Sequence, residues 1–126
     1  MIQPPVYTDG YFDLYRIKEI AEEENPDYPI EKLINQNLRV WYNELSVYDH
    51  TKAALNTVGV EIQMKIRIPQ YRGIDSMCVC VISEKQYEVY NATHVTNKNG
   101  FSETEITLKT PTMDREVIEN EEDGTE

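Results

Sequence analysis

Val60-Glu61-Ile62-Gln63-Met64-Lys65-Ile66-Arg67-Ile68, closed by Pro69, decides the fold of this chain. Five apolar residues take the even positions and four polar or charged residues the odd positions between them. That unbroken period of two puts the two sets on opposite faces of a strand. One face is dry and one wet, as in an antiparallel sheet with a single buried side.

Downstream the same grammar continues. Residues 69–76 (PQYRGIDS) are a loop by their Pro and Gly content. Residues 77–82 (MCVCVI) are apolar on both faces and predict a short buried strand, followed by a hairpin turn at Ser83-Glu84-Lys85. Residues 86–95 (QYEVYNATHV) set Tyr87 and Val89 against Glu88 and Tyr90. Asn97-Lys98-Asn99-Gly100 is the strongest turn signal in the chain. Residues 101–109 (FSETEITLK) then alternate, with Ile106 and Leu108 predicted inward and the Thr and Glu residues outward.

Upstream, residues 48–59 interrupt the strands. Asp49 is a good N-cap, Lys52-Ala53-Ala54-Leu55 favours helix and Gly59 supplies a stop, so a two-turn helix with little apolar surface is expected. Residues 38–47 (LRVWYNELSV) read as a central strand, with Val40 and Tyr42 on one side and Trp41, Asn43 and Leu45 on the other. A short helix is expected over residues 29–36, capped by Asp27 with Pro29 at its first position. Residues 21–29 read as loop, residues 12–20 (FDLYRIKEI) as strand, and residues 1–11, with Pro4, Pro5 and Gly10, as an extended arm. The resulting fold class is all-β. It is a small antiparallel β-barrel or sandwich over residues 12–109 with one short inserted helix, an N-terminal arm (1–11) and an acidic C-terminal tail (110–126). Of the two, a barrel disposes best of edge strands.

At 126 residues the chain holds one domain at most. Its net charge is −11, and seven of its 23 acids follow Pro111 against Arg115 alone, so the tail carries six of the excess negative charges. Binding to free nucleic acid or to an anionic membrane needs the opposite sign. No apolar run reaches the length of a membrane span, and residues 1–12 lack a basic region before a hydrophobic core. Neither anchor nor signal peptide is therefore expected, and the compartment reads as reducing cytoplasm or an assembly built there. The sequon Asn91-Ala92-Thr93 carries no meaning in that compartment.

Catalytic residue types are scattered. Cys78 and Cys80 share one side of an apolar strand, poorly placed for a disulfide and suited to being buried thiols. With His50 and His94 they supply four metal-ligand types, but their spacing does not match zinc-site pairs. Glu103 and Glu105 read as a solvated strand face, and no Gly-x-Ser-x-Gly elbow is present. No cofactor and no resident metal are expected, and a small metal-dependent enzyme using Cys78, Cys80 and His94 is the reading of another class.

The tyrosines are more telling, nine of them beside one Trp. Tyr7, Tyr28, Tyr48 and Tyr71 fall in the arm or in loops, where large rigid contact area with a polar tip suits protein interfaces. Tyr11 in the arm and Arg72 beside Tyr71 join that set. Glu61, Lys65 and Arg67 alternate in sign along the wet face of the opening strand, which suits pairing between subunits.

From Asn37 to Leu108 the succession of segments resembles the small head–tail joining proteins of tailed bacteriophages, called head-closure, stopper or head-completion proteins. The residues that carry the resemblance are Val40-Trp41 running into Leu45-Ser46-Val47, then the insert with Lys52-Ala53-Ala54. The alternating strand follows, ending in Ile68-Pro69 and Tyr71-Arg72-Gly73-Ile74-Asp75. Lys85-Gln86-Tyr87-Glu88-Val89 and the closing Thr104-Glu105-Ile106-Thr107-Leu108 complete it. The resemblance implies a virion protein forming a ring, commonly of twelve copies, in the neck between capsid and tail. It would be assembled in the bacterial host cytoplasm and held between a portal-side adaptor and a tail-side ring. Packaged DNA would pass through it without sequence-specific binding. It also implies that the loop between the second and third strands gates the channel. Here that loop offers Tyr48, Asp49 and His50, then Thr51, Lys52, Leu55 and Asn56. A tail-terminator or tail-completion ring is the alternative within the same particle.

Overall fold

The computed structural model describes residues 5–22, 25–45, 59, 61–113 and 115–118. These form seven strands: β1 (Gly10–Glu22), β2 (Asn25–Leu45), β3 (Ile62–Pro69), β4 (Cys78–Ile82), β5 (Lys85–Thr96), β6 (Ser102–Lys109) and β7 (Val117–Ile118). Hydrogen-bonded neighbours run β1-β4-β5-β6-β3-β2, and β2 pairs back onto β1. Six antiparallel strands thus close on themselves in a barrel-like ring, and β7 joins the outside of β2 in parallel. No described residue is helical.

The opening strand behaves as its alternation requires. Ile62, Ile66 and Ile68 of β3 are buried and Met64 packs against the core, while Glu61 and Gln63 are exposed. The inner cluster takes Phe12 and Leu14 from β1, Tyr42 from β2, Cys78 and Cys80 from β4, Val89 from β5, and Ile106 and Leu108 from β6. Ile74, in the loop after β3, closes one end of it. Val79, between the two cysteines, is equally buried on the opposite face, so β4 is covered on both sides as its composition demands.

Three expectations are corrected. Residues 29–36 are strand, not helix: they lie within the 21-residue β2, paired with β1 from Ile17↔Leu33 to Ile20↔Ile30. Tertiary pairing overrides the capping signal of Asp27 and Pro29. Residues 21–29, read as loop, are largely the two arms of that same hairpin. On β6, Thr104 points inward in phase with Ile106 and is fully buried, and Glu103, on the outer phase, is only 2% exposed because other parts of the chain cover it. The inserted helix expected over residues 48–59 lies outside the described residues, Gly59 excepted.

Bulges explain where simple alternation fails. Gln36, Asn37 and Leu38 oppose Leu14 alone, with Asn37 at φ +57°, which bends β2. Tyr90 is the extra residue between Val89↔Leu108 and Asn91↔Thr107. The inward phase of β5 therefore switches from the odd positions Tyr87 and Val89 to the even position Ala92. Ser83 and Glu84 both take positive φ, the two-residue turn whose twist matches a hairpin, and Gly100 at φ +90° serves the turn before β6.

Both ends of the described chain are tied to the barrel. Asp9 donates its amide to the Tyr42 carbonyl (2.9 Å) and Thr8 to Asn43 Oδ1 (3.0 Å). At the other end the Arg115 guanidinium is 6% exposed and forks between two strands. Its Nη1 donates to Glu88 of β5 (2.6 Å), and its Nε and Nη2 donate to Glu31 of β2 (2.9 and 2.8 Å). Val117 then pairs with Leu33. The segment from Arg115 to Ile118 is therefore anchored to the barrel.

Candidate interaction surface

The outer face of the β1–β2 hairpin carries an aromatic and cationic ladder. Tyr11 pairs with Trp41 and Asp13 with Arg39, so strand alternation points all four outward. The Tyr11 and Trp41 rings meet edge-on with centroids 5.1 Å apart, and the Arg39 guanidinium lies 4.2 Å above the Tyr11 ring. Asp13 accepts from Arg39 Nε at 2.9 Å and holds the guanidinium in place. Trp41 remains 50% exposed and Tyr11 39%. A half-exposed indole fixed by its neighbours is a preorganised contact, because little side-chain freedom is left to lose on binding.

Beside the ladder runs a groove of about 440 Å³, lined chiefly by Tyr7, Leu38, Val40, Trp41, Pro69 and Tyr71, with Arg39 and Gln70 also on its lining. It lies at the seam of the barrel. β2 and β3 are joined by three register pairs, Asn43↔Arg67 to Leu45↔Lys65, and beyond them the strands part. Pro69 ends β3 without a donor to continue the ladder. Leu38 and Val40, whose other sides pack on the inner cluster, form the floor. Tyr71 forms one wall, its ring lying over Gly73, where a Cβ would come within 2.8 Å of ring atoms, and its amide bonded to Thr104 Oγ1 (3.0 Å).

Tyr7 forms the other wall. Its hydroxyl donates to Glu103 Oε2 at 2.6 Å, and burial together with that bond pushes its pKa up. Glu103 also receives Asn97 Nδ2 (3.3 Å) and lies 3.7 Å from Arg67 Nε. Arg67 Nη2 bonds Glu105 (2.5 Å), and Lys65 stands 3.6 Å from the same carboxylate. The hydrogen bond to Glu105 raises the Arg67 pKa, and these two cations hold Glu105 below the usual carboxylate range despite burial. Lys65 and Arg67 of β3 therefore already have partners on β6. Tyr7→Phe is expected to cost about 1.5 kcal/mol, since it strands a buried carboxylate oxygen. Limited proteolysis should at the same time show faster cleavage before Gly10.

Among the other residues singled out in the sequence, Arg72 and Glu61 are exposed and Tyr28 lies in β2. Tyr48, Asp49, His50, Thr51, Lys52, Leu55 and Asn56 lie outside the described residues. Tyr7 and Tyr71 are brought together at one groove; Tyr11 is next to it through Trp41. Sequence reasoning passed over Trp41, Arg39 and Leu38. The available signal was the single Trp on the outward phase of β2.

The cysteine chemistry is closed off. Cys78 and Cys80 are fully buried, and burial pushes both thiols up, away from thiolate. His94 Nδ1 lies 2.9 Å from Thr104 Oγ1. Cys80 is paired with Tyr87, seven positions and roughly 20 Å along β5 from His94, too far to share an ion. Among the described residues no group of three or more His, Cys, Asp or Glu is placed to hold a metal.

What fold and surface define is a class: a closed all-β domain whose outer face carries a fixed aromatic ladder and an apolar seam. No family model matches the chain, and no curated protein matches it.

Proposed function

We propose that this chain is the head-closure (stopper) ring subunit of a tailed-phage neck, a virion structural protein without catalysis. It sits between a portal-side adaptor and a tail-side ring, with its own copies at the sides. The observation that carries this reading is topological. The end of β2 at Leu45 and the start of β3 at Ile62, with the strand pairs Leu45↔Lys65 and Ile62↔Lys109, lie at one end of the barrel. A gate placed at that end would act away from the inner cluster. The aromatic ladder supports a protein partner, and burial leaves the Cys78 and Cys80 thiols unactivated. A net charge of −11 suits a ring through which DNA slides, because phosphate repulsion keeps affinity low.

Deleting residues 48–58 tests the gate. The variant should fold, join the neck and yield heads that fill and then lose their DNA, measured as the ratio of full to empty heads. Full DNA retention by a correctly incorporated variant would remove the gate assignment.

A further inference from the structure

We propose that the seam groove between Trp41 and Tyr71 docks an extended, proline-rich segment of a partner protein, with an acidic residue beside its prolines. Such docking holds whether or not the chain forms a ring.

The lining selects the conformation of the occupant. From Leu38 to Trp41 the groove follows β2 for about 10 Å, at roughly 3.3 Å per residue. One turn of polyproline helix, three residues at about 3.1 Å each, has that length. Proline-rich segments dock in aromatic-lined grooves, and here the rings of Tyr7, Trp41 and Tyr71 stand around Leu38 and Val40. Each ring is already held: Tyr7 by Glu103, Trp41 against Tyr11, and Tyr71 over Gly73. Little side-chain freedom is left to lose on binding.

The donors of the groove point the same way. Among the described residues none accepts from the Trp41 indole N–H, the Tyr71 hydroxyl or the Gln70 side-chain amide, and Trp41 and Tyr71 are 50% and 40% exposed. A polyproline helix has no internal hydrogen bonds, so its carbonyls are free to accept from these groups. An α-helix bonds its own carbonyls and would leave the donors unmatched. An added β-strand fits poorly, because Pro69 on the lining has no N–H and β2 is bulged over residues 36–38.

Local charge selects the acidic residue. The acids at the groove are engaged, Asp13 by Arg39 and Glu103 by Tyr7 and Asn97. Arg72, next to Tyr71, is exposed and has no ion pair among the described residues. The free charge beside the groove is therefore positive although the whole chain carries −11. Salt screens charges more than about 8 Å away, so the nearby cation decides.

Trp41 is the sole Trp and sits on the groove, so its fluorescence reads occupancy directly. Three synthetic peptides of equal length are titrated into the full chain: a proline-rich peptide carrying glutamate, the same with lysine for glutamate, and the same with glycine for proline. The first should give a saturable blue shift. The lysine peptide should bind about threefold more weakly, and the glycine peptide, which is not stiff before binding, about tenfold. Tyr71→Ala should weaken the first peptide by about tenfold. Tyr71→Phe keeps the ring and drops only the hydroxyl donor, so it reads the site even if the alanine variant fails to fold; a loss of about fivefold is expected. Arg72→Glu should reverse the preference between glutamate and lysine. Emission unmoved by every peptide, equal binding of the glycine and proline peptides, or a charge preference that survives Arg72→Glu would each overturn the assignment. A blue shift that grows with protein concentration before any peptide is added would mean that a second copy covers the groove, and would overturn it as well.

Discussion

Arg115→Met is expected to lower the unfolding free energy by about 3 kcal/mol, the lower end of the cost of removing one partner from a buried ion pair. Glu88 is 6% exposed and has been taken out of water on the assumption that Arg115 is there. The cost stays at the low end because Thr112 donates twice to the same Glu88 oxygen and Lys109 Nζ stands 3.3 Å from the other. Arg115→Lys should recover part of the loss. An ammonium can reach one carboxylate, whereas the guanidinium fork spans Glu31 and Glu88 together. In thermal unfolding the methionine variant should melt on the order of 10 °C lower. The segment after Lys109 should also become protease-sensitive, since β7 depends on this anchor for its pairing with Leu33.

The same pair sets a pH dependence. Burial alone would raise the Glu88 pKa, but the bonds from Arg115 and Thr112 more than offset it and hold it below the ordinary value of 4.5. A carboxyl depressed on folding stabilises fully above its unfolded pKa, and that stability disappears as the pH falls through its folded value. Wild type should therefore lose stability on acidification below about pH 4.5, and Arg115→Met should show a weaker dependence over the same window.

Phe12→Ala is expected to cost about 3–5 kcal/mol, the largest loss from any single side chain in the barrel. Phe12 is fully buried, stacked at 24° on Tyr42 with centroids 6.4 Å apart, where β1 and β2 close the ring of strands. A loss of that size approaches the whole stability of a domain with about 5–15 kcal/mol. Denaturant unfolding should show a much lower midpoint, and the variant should be scarce in assembled particles. Trp41→Ala, one register position away on the opposite face, should cost about 1 kcal/mol, the edge contact with Tyr11, and leave the barrel folded. Equal losses at the two positions would contradict the separation of core face and contact face.

The strands with clean alternation were legible because one physical rule governed them. β3, β4 and β6 sit within one or two residues of their expected bounds. The long hairpin was not, because residues 21–36 carry two prolines and five acids and read as loop and helix. The strand character of residues 30–35 comes from pairing with residues 15–20 of β1, information that no window of sequence holds. Glu103 and Glu88 were read as wet for a related reason. Alternation places them on the outer face correctly, but the segments that cover that face, Tyr7 and Arg115, come from 96 and 27 residues away. The groove was hidden likewise, since its walls meet only when the barrel closes.

The central claim is that this chain works as a ring between a portal-side adaptor and a tail-side ring. Its most direct test is the mass of the complex it forms with portal and adaptor, counted in copies of 14.7 kDa. The account predicts a closed ring with the portal's symmetry, commonly twelve copies, seated on the adaptor. A sixfold ring that binds only the tail tube would move the chain to the tail-terminator position, and a strict monomer that never joins the complex would contradict the account.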